Sequence, residues 1–284
     1  MRTVAVDWSG ARSVTAQRRA IWVAEAADGV LVRLEGGLTR DEATAVVLRR
    51  LAPGVLAGFD FSFSFPAWFV HAMGAVDGPG AWEAAARDGE AWLAACAPPF
   101  WGRRGRPRPA PDPARPEWRR TELGCAPQAA SPLTRPKSTF QVGGAGSVGT
   151  GAVRGMPLLR RLREAGAAVW PFDAAAPSGP VVAEVYPRWA TGPVVKSQAA
   201  ARAAHVAYLG AAVPPRLRAL AEASEDAFDA ACTAVALSVG ACAFPATDGT
   251  DAVEGRIFPV PLAGGRGRPA PDASVAARGS HHSP

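Results

Sequence analysis

Four aspartates stand where an apolar chain does not carry charge without cause. Asp7 closes the run Val4-Ala-Val-Asp7 and leads into Trp8-Ser-Gly10. Asp60 interrupts Val55-Leu-Ala-Gly-Phe-Asp60-Phe-Ser-Phe-Ser-Phe-Pro66. Asp226 and Asp229 open Asp226-Ala-Phe-Asp229-Ala-Ala-Cys-Thr-Ala-Val-Ala-Leu237. Carboxylates are rarely buried without a partner, because stripping water from a charge is costly. Several of them on buried elements point to a bound cation. Hard cations such as Mg2+ and Mn2+ take oxygen ligands. Two such ions about 3.5–4 Å apart clamp the attacking and leaving oxygens of a phosphodiester. Crowded carboxylates raise one another's pKa, and a bound ion removes that penalty. Asp7, Asp60, Asp226 and Asp229 are therefore the candidate catalytic and metal-binding residues.

Each acid also has a plainer reading. Asp7 before Trp-Ser-Gly suits an Asx-turn. In the second run, Phe59, Phe61, Phe63 and Phe65 alternate with Asp60, Ser62 and Ser64. Period two puts the aromatics on one face and Asp60 on the other, where it can be solvated. Acids at a helix start complement the macrodipole, which accounts for Glu225 and Asp226 better than for Asp229 inside the apolar run. Asp226 and Asp229, three apart, share a helix face. Glu184, in Ala183-Glu-Val-Tyr-Pro187, is a further catalytic candidate or a strand-end partner for Arg188. The case rests on the set.

Positioning these acids takes an α/β fold. Residues 2–8 read as a first strand. Residues 20–24 and 30–34 flank Asp28-Gly29, a hairpin turn signal. Thr39 is placed to cap a helix through Leu51, with Glu42 in the capping-box position. Residues 54–61 form the fourth strand, and 66–96 short helices. A helix is expected over 156–166, with Pro157 in its first turn and Gly166 as its stop. Residues 181–186 form a further strand, followed by helices at about 196–210 and 215–223. The Asp226 helix runs to about 242 and is apolar nearly all round, so it should be buried. The expected fold class is α/β, with a mixed central sheet, a β-meander and flanking helices.

This order resembles the ribonuclease-H-like fold. A first-strand Asp, a fourth-strand acid and a helical D-x-x-D resemble its Holliday-junction resolvase branch. More closely, the chain is similar to a family of predicted ribonuclease-H-like nucleases catalogued as a domain of unknown function. The matching segments are Val4–Gly10, Gly58–Pro66, Ser138-Thr-Phe-Gln141, Gly146-Ser-Val-Gly-Thr150, Arg154-Gly-Met-Pro157, Ala183–Pro187 and Asp226–Ala230. They lie within roughly residues 3–260. The resemblance implies a metal-dependent nuclease with Asp7, Asp60 and the Asp226/Asp229 pair as ligands and Glu184 as an additional candidate. Its cofactor would be Mg2+ or Mn2+, and its partner DNA or RNA. The fourth-strand acid is a Glu in the resolvase branch and an Asp here.

Charge supports a polyanionic partner. The chain carries a formal +6 with a pI near 9.8. Between residues 97 and 137 lie Arg103, Arg104, Arg106, Arg108, Arg115, Arg119, Arg120, Arg135 and Lys137, against Asp112, Glu117 and Glu122. Concentrated basic charge points to a polyanion more than a diffuse excess does. Phe100, Trp101 and Trp118 interleave with it, as on single-strand binding surfaces. A solvated, Pro/Arg-rich insertion is the alternative. Arg103, Arg104, Arg106, Lys137 and Lys196 are the candidate phosphate contacts.

Gly144-Ala-Gly146-Ser-Val-Gly149 fits G-x-G-x-x-G, with Ser138–Val142 as a possible preceding strand. It lacks a clear βαβ setting and a ribose-binding acid. A nucleotide-dependent enzyme thus stays open beside the nuclease, as does a nucleic-acid-binding protein with a vestigial acidic site. Cys96, Cys125, Cys232 and Cys242 form no C-x-x-C pair and read as reduced thiols. No apolar run reaches membrane-span length and no signal peptide is evident, so a cytoplasmic protein is expected. One ribonuclease-H-like domain over 1–262 and a disordered tail over 263–284 complete the expectation.

Overall fold

The computed structural model describes residues 1–124, 136–144, 146–175, 179–240 and 243–260. The expected tail, Arg135, Cys125 and Cys242 lie outside the described residues.

The chain starts with β1 (Arg2–Asp7), α1 (Val14–Ala20), β2 (Trp22–Ala27), β3 (Val30–Glu35), α2 (Arg40–Arg50) and β4 (Leu56–Phe59). Next come α3 (Ala67–Ala72), α4 (Gly78–Ala95), α5 (Arg120–Gly124), α6 (Gly149–Glu164), β5 (Ala168–Trp170) and β6 (Val181–Glu184). The last elements are α7 (Pro187–Thr191), α8 (Ala199–Leu209), α9 (Pro215–Glu222), α10 (Glu225–Val239) and α11 (Gly249–Glu254). One six-stranded mixed sheet runs β3-β2-β1-β4-β6-β5. Pairing is antiparallel between β1 and β2 and between β2 and β3, and parallel among β1, β4, β6 and β5. Among the described residues no helix is long and apolar enough to cross a membrane.

Local chemistry explains most boundaries. Asp28 and Gly29 take φ of 48° and 81°, the left-handed pair that a two-residue hairpin turn requires. The capping box forms as expected: Glu42 N–H donates to Thr39 Oγ1 at 3.2 Å and Thr39 N–H to Glu42 Oε2 at 2.8 Å. The helical regions over 66–96 and 156–166 depart from expectation, and α1, β5, α7 and α11 have no counterpart in the sequence reading. Residues 66–96 hold one long helix, α4, after the short α3. α6 starts at Gly149 and carries Pro157 in its interior. Glycine-rich sequence argues against helix, yet here close packing demands it. A Cβ on Gly155 would lie 2.6 Å from the Phe61 ring, and one on Gly10 would lie 2.4 Å from the Gly151 amide nitrogen. α6 therefore lies hard against the aromatic segment and the loop after β1.

The sheet separates two cores. On one face Val4, Val6, Phe59, Phe61, Phe63 and Phe65 pack beneath α2, α4 and α6. β4 ends at Phe59, but the alternation continues through the buried irregular segment beyond it, where Phe59–Phe61 and Phe61–Phe63 rings pack at 5.6 and 5.2 Å. On the other face Ala5, Leu56, Ala183 and Val185 meet α10. The alanines of α10 let it approach closely, and Thr3 Oγ1 donates to its Ala234 carbonyl at 2.8 Å.

The basic segment proves partly internal. Arg119 is fully buried. It donates to Glu122 Oε1 at 2.9 and 2.8 Å, to Glu184 Oε2 at 2.8 Å, and to Glu184 Oε1. Arg120 bonds Asp248 and Asp251 at 2.7 Å, tying α5 to α11. Removing one member of a buried ion pair strands the other's charge. Arg119→Ala should therefore cost about 3–5 kcal/mol in urea unfolding. A loss below about 1 kcal/mol would mean that the network does not hold the segment to the sheet.

Candidate acidic site

Parallel pairing brings Asp7 and Asp60 together. β1 and β4 are in register from Thr3↔Leu56 to Val6↔Phe59, so the next residues on the two chains are the two aspartates. By alternation both follow the positions that face α10: Thr3 and Ala5 on one strand, Leu56 and Gly58 on the other. Asp60 Oδ1 accepts the Trp8 N–H at 2.6 Å, which fixes the carboxyl beside the end of β1. A Cβ at Gly58 would meet Val185 at 2.8 Å and Leu237 at 3.0 Å, so only glycine lets α10 settle here.

α10 supplies the other acids. Ser224 caps it by accepting from the Ala227 N–H at 3.0 Å. Asp226 is half-buried, while Asp229, one turn on, is buried. Asp7, Asp229 and Thr233 line one small cleft with Val185 and Pro187. Asp229 Oδ2 is ion-paired with Lys196. Asp229 Oδ1 and Thr233 Oγ1 are buried with no hydrogen-bond partner. Thr233 follows Asp229 by four residues and so shares its helix face, a spacing that the sequence carries without marking the residue as functional.

The electrostatics are those of a crowded site. Burial, then the charges of Asp60, Asp229 and Asp226, push the Asp7 carboxyl well above its usual range. Burial, with Asp229 and Asp226, carries Asp60 up to about 7, against the lowering effect of the Trp8 amide and Lys196. Burial and the neighbouring Asp229 raise Asp226 to about 6. Asp229 is raised by burial, while Lys196 and Arg188 pull it back. Thus acids from three separate parts of the chain act on one another. Among the described residues, however, no three His, Cys, Asp or Glu side chains stand close enough to form a ready coordination shell.

Several expectations need correction. Glu184 does not join the acids. It alternates with Val182, a member of the opposite core, and its oxygens are taken by Arg119 and by the Phe63 N–H at 2.9 Å. Its partner is Arg119, not Arg188, because Arg188 donates to the Gly192 and Val194 carbonyls at 3.1 and 2.6 Å. Lys196 is engaged by Asp229 and is not free to meet phosphate. Arg103, Arg104, Arg106 and Lys137 are exposed. Arg108 pairs with Glu117 and lies over the Trp101 and Trp118 rings, 5.7 and 5.0 Å from their centroids. Ser138–Val142 forms a single bridge, Trp101↔Gln141, in place of a strand, and the Gly149 N–H is spent on the Gln141 carbonyl at 3.0 Å. The glycine motif therefore lacks the βαβ setting of a dinucleotide site.

Compared with protein-family models, with curated proteins and with solved structures, the chain matches none.

The raised carboxyls predict a pH dependence. Between about pH 4 and pH 7 the folded chain holds protons that the unfolded chain has already released, so this contribution to stability falls as pH rises through that window. Asp60→Asn removes the titrating proton and keeps an oxygen for Trp8. Urea midpoints from pH 4 to 8, without metal, should decline less steeply in the mutant. Parallel declines would show that Asp60 ionises normally.

Proposed function

We propose that the protein is a Mg2+- or Mn2+-dependent hydrolase of phosphodiester bonds in nucleic acid, on a ribonuclease-H-like fold. One observation carries this: Asp7, Asp60 and Asp229 come from β1, the end of β4 and α10 to one side of the sheet, with Asp229 Oδ1 buried and unpartnered. An orphaned buried carboxylate oxygen is costly unless something binds it. The donor set is all oxygen, which suits a hard cation. The strand order β3-β2-β1-β4, with its antiparallel hairpin beside parallel strands, is compatible with that fold. Asp7 and Asp60 also lie at the carboxyl ends of parallel strands, where open α/β sheets bind ligands.

Asp7, Asp60 and Asp229, drawn closer than they stand in the metal-free site, would hold the ion, with Asp226 at its margin. Bound metal supplies Lewis acidity and an activated water. The chain's own part is positioning. The Trp8 amide fixes Asp60, and the close packing of α10 fixes Asp229. Arg103, Arg104 and Arg106 sit on a tight turn, closed by Arg106 N–H to the Arg103 carbonyl at 2.9 Å and Gly102 N–H to the Arg106 carbonyl at 2.8 Å. Three exposed guanidiniums on one turn suit a phosphate backbone.

Two experiments test this. Asp229→Asn keeps side-chain volume and removes a charge. It should abolish most Mn2+-induced stabilisation in thermal melts and most cleavage of mixed DNA and RNA substrates. Full Mn2+ stabilisation in the mutant would refute the site. Neutralising Arg103, Arg104 and Arg106 together should weaken binding across all sequences and flatten its salt dependence. The slope should fall by up to about 0.9 log units per log unit of salt for each phosphate that is no longer neutralised. An unchanged slope would leave the turn as solvated surface.

A further inference from the structure

We infer that Lys196 is the built-in counter-cation of the acidic site and must release Asp229 before a divalent ion can bind there. This rests on the metal-site proposal above and extends it to a residue that proposal leaves without a role. Lys196 lies in the loop between α7 and α8, and its ammonium pairs with Asp229 Oδ2 with both side chains largely buried. The loop is tied down on both sides of it. The Lys196 carbonyl accepts from Arg202 at 2.6 Å, and Arg188 holds the Gly192 and Val194 carbonyls. The ammonium is therefore delivered to the acids by a fixed backbone.

Charge makes the two cations competitors. Without Lys196, only the Arg188 guanidinium, among the described residues, would offset the mutual repulsion of the four carboxyls. With a divalent ion present, an ammonium on the same carboxylate repels it across a few ångströms, where charge–charge energies are large. Asp229 Oδ1 has no partner, and once Lys196 leaves Oδ2 the whole carboxylate is free to take the ion. The four-carbon lysine stem allows that exit without moving the loop. In this way the site stays folded without metal yet remains open to it.

Lys196→Met keeps the stem and removes the charge. The mutant should melt lower than wild type without metal, and bind Mn2+ about tenfold more tightly by calorimetry, since the competing pair is gone. Equal or weaker Mn2+ binding in the mutant, beside clear binding in wild type, overturns the inference and leaves the metal site standing. No Mn2+ binding in wild type removes both. A second measurement needs no mutant. Lys137 and Lys196 are the only lysines in the chain. Limited reductive methylation read by mass spectrometry should modify Lys196 several-fold faster, relative to exposed Lys137, when saturating Mg2+ is added. An unchanged ratio means that Lys196 stays on Asp229, and the inference fails.

Discussion

The parallel pairing of β1 with β4 is the constraint on which the acidic site depends. Its register ends at Val6 and Phe59, so Asp7 and Asp60 leave the sheet side by side. Two carboxyls brought together this way repel each other and lose water, and the chain answers with few groups. The Trp8 amide binds Asp60, and Lys196 binds Asp229. The remaining strain shows as raised carboxyl pKa values and an unpaired Asp229 oxygen. A fold maintains such an arrangement only when the surrounding packing holds it, and here the packing is strong on both faces.

The two faces divide the work. On one, the phenylalanine ladder from Phe59 to Phe65 and helices α4 and α6 make a dense aromatic core. That core fixes the segment after Asp60 and, through Gly10 and Gly155, the loop after Asp7. On the other face, α10 presents mostly alanine to the sheet and so reaches close enough for Asp229 to line one cleft with Asp7. Gly58 is the matching concession in β4. Larger residues at these places would lift the helix and separate the carboxyls.

The arginine-rich segment contains two kinds of cation. Arg119 and Arg120 are mortar: they join the segment to β6 and α11 through buried Glu184 and Asp251 and exposed Asp248. Arg103, Arg104 and Arg106 face solvent. Under the proposed function, the first group anchors a platform and the second group meets phosphate. The anchored part takes up Glu184, an acid that would otherwise look available for chemistry.

Local pattern in the sequence determined the hairpin at Asp28-Gly29, the capping box at Thr39, the burial of the Asp226 helix and the alternation that sends Asp60 away from the phenylalanines. These depend on residues a few positions apart, where backbone geometry leaves few choices. The extent of α6 was not legible, because its glycines are helix-weakening by propensity and are placed for close approach to Phe61 and the β1 loop. Nor was the fate of Glu184, whose partner lies 65 residues away in a segment that reads as loop. The role of Lys196 was equally hidden, 33 residues from Asp229. A carboxylate on a strand end looks the same in sequence whether it faces a cation site or an arginine. Only tertiary packing decides which, because the charge that answers it comes from a distant part of the chain.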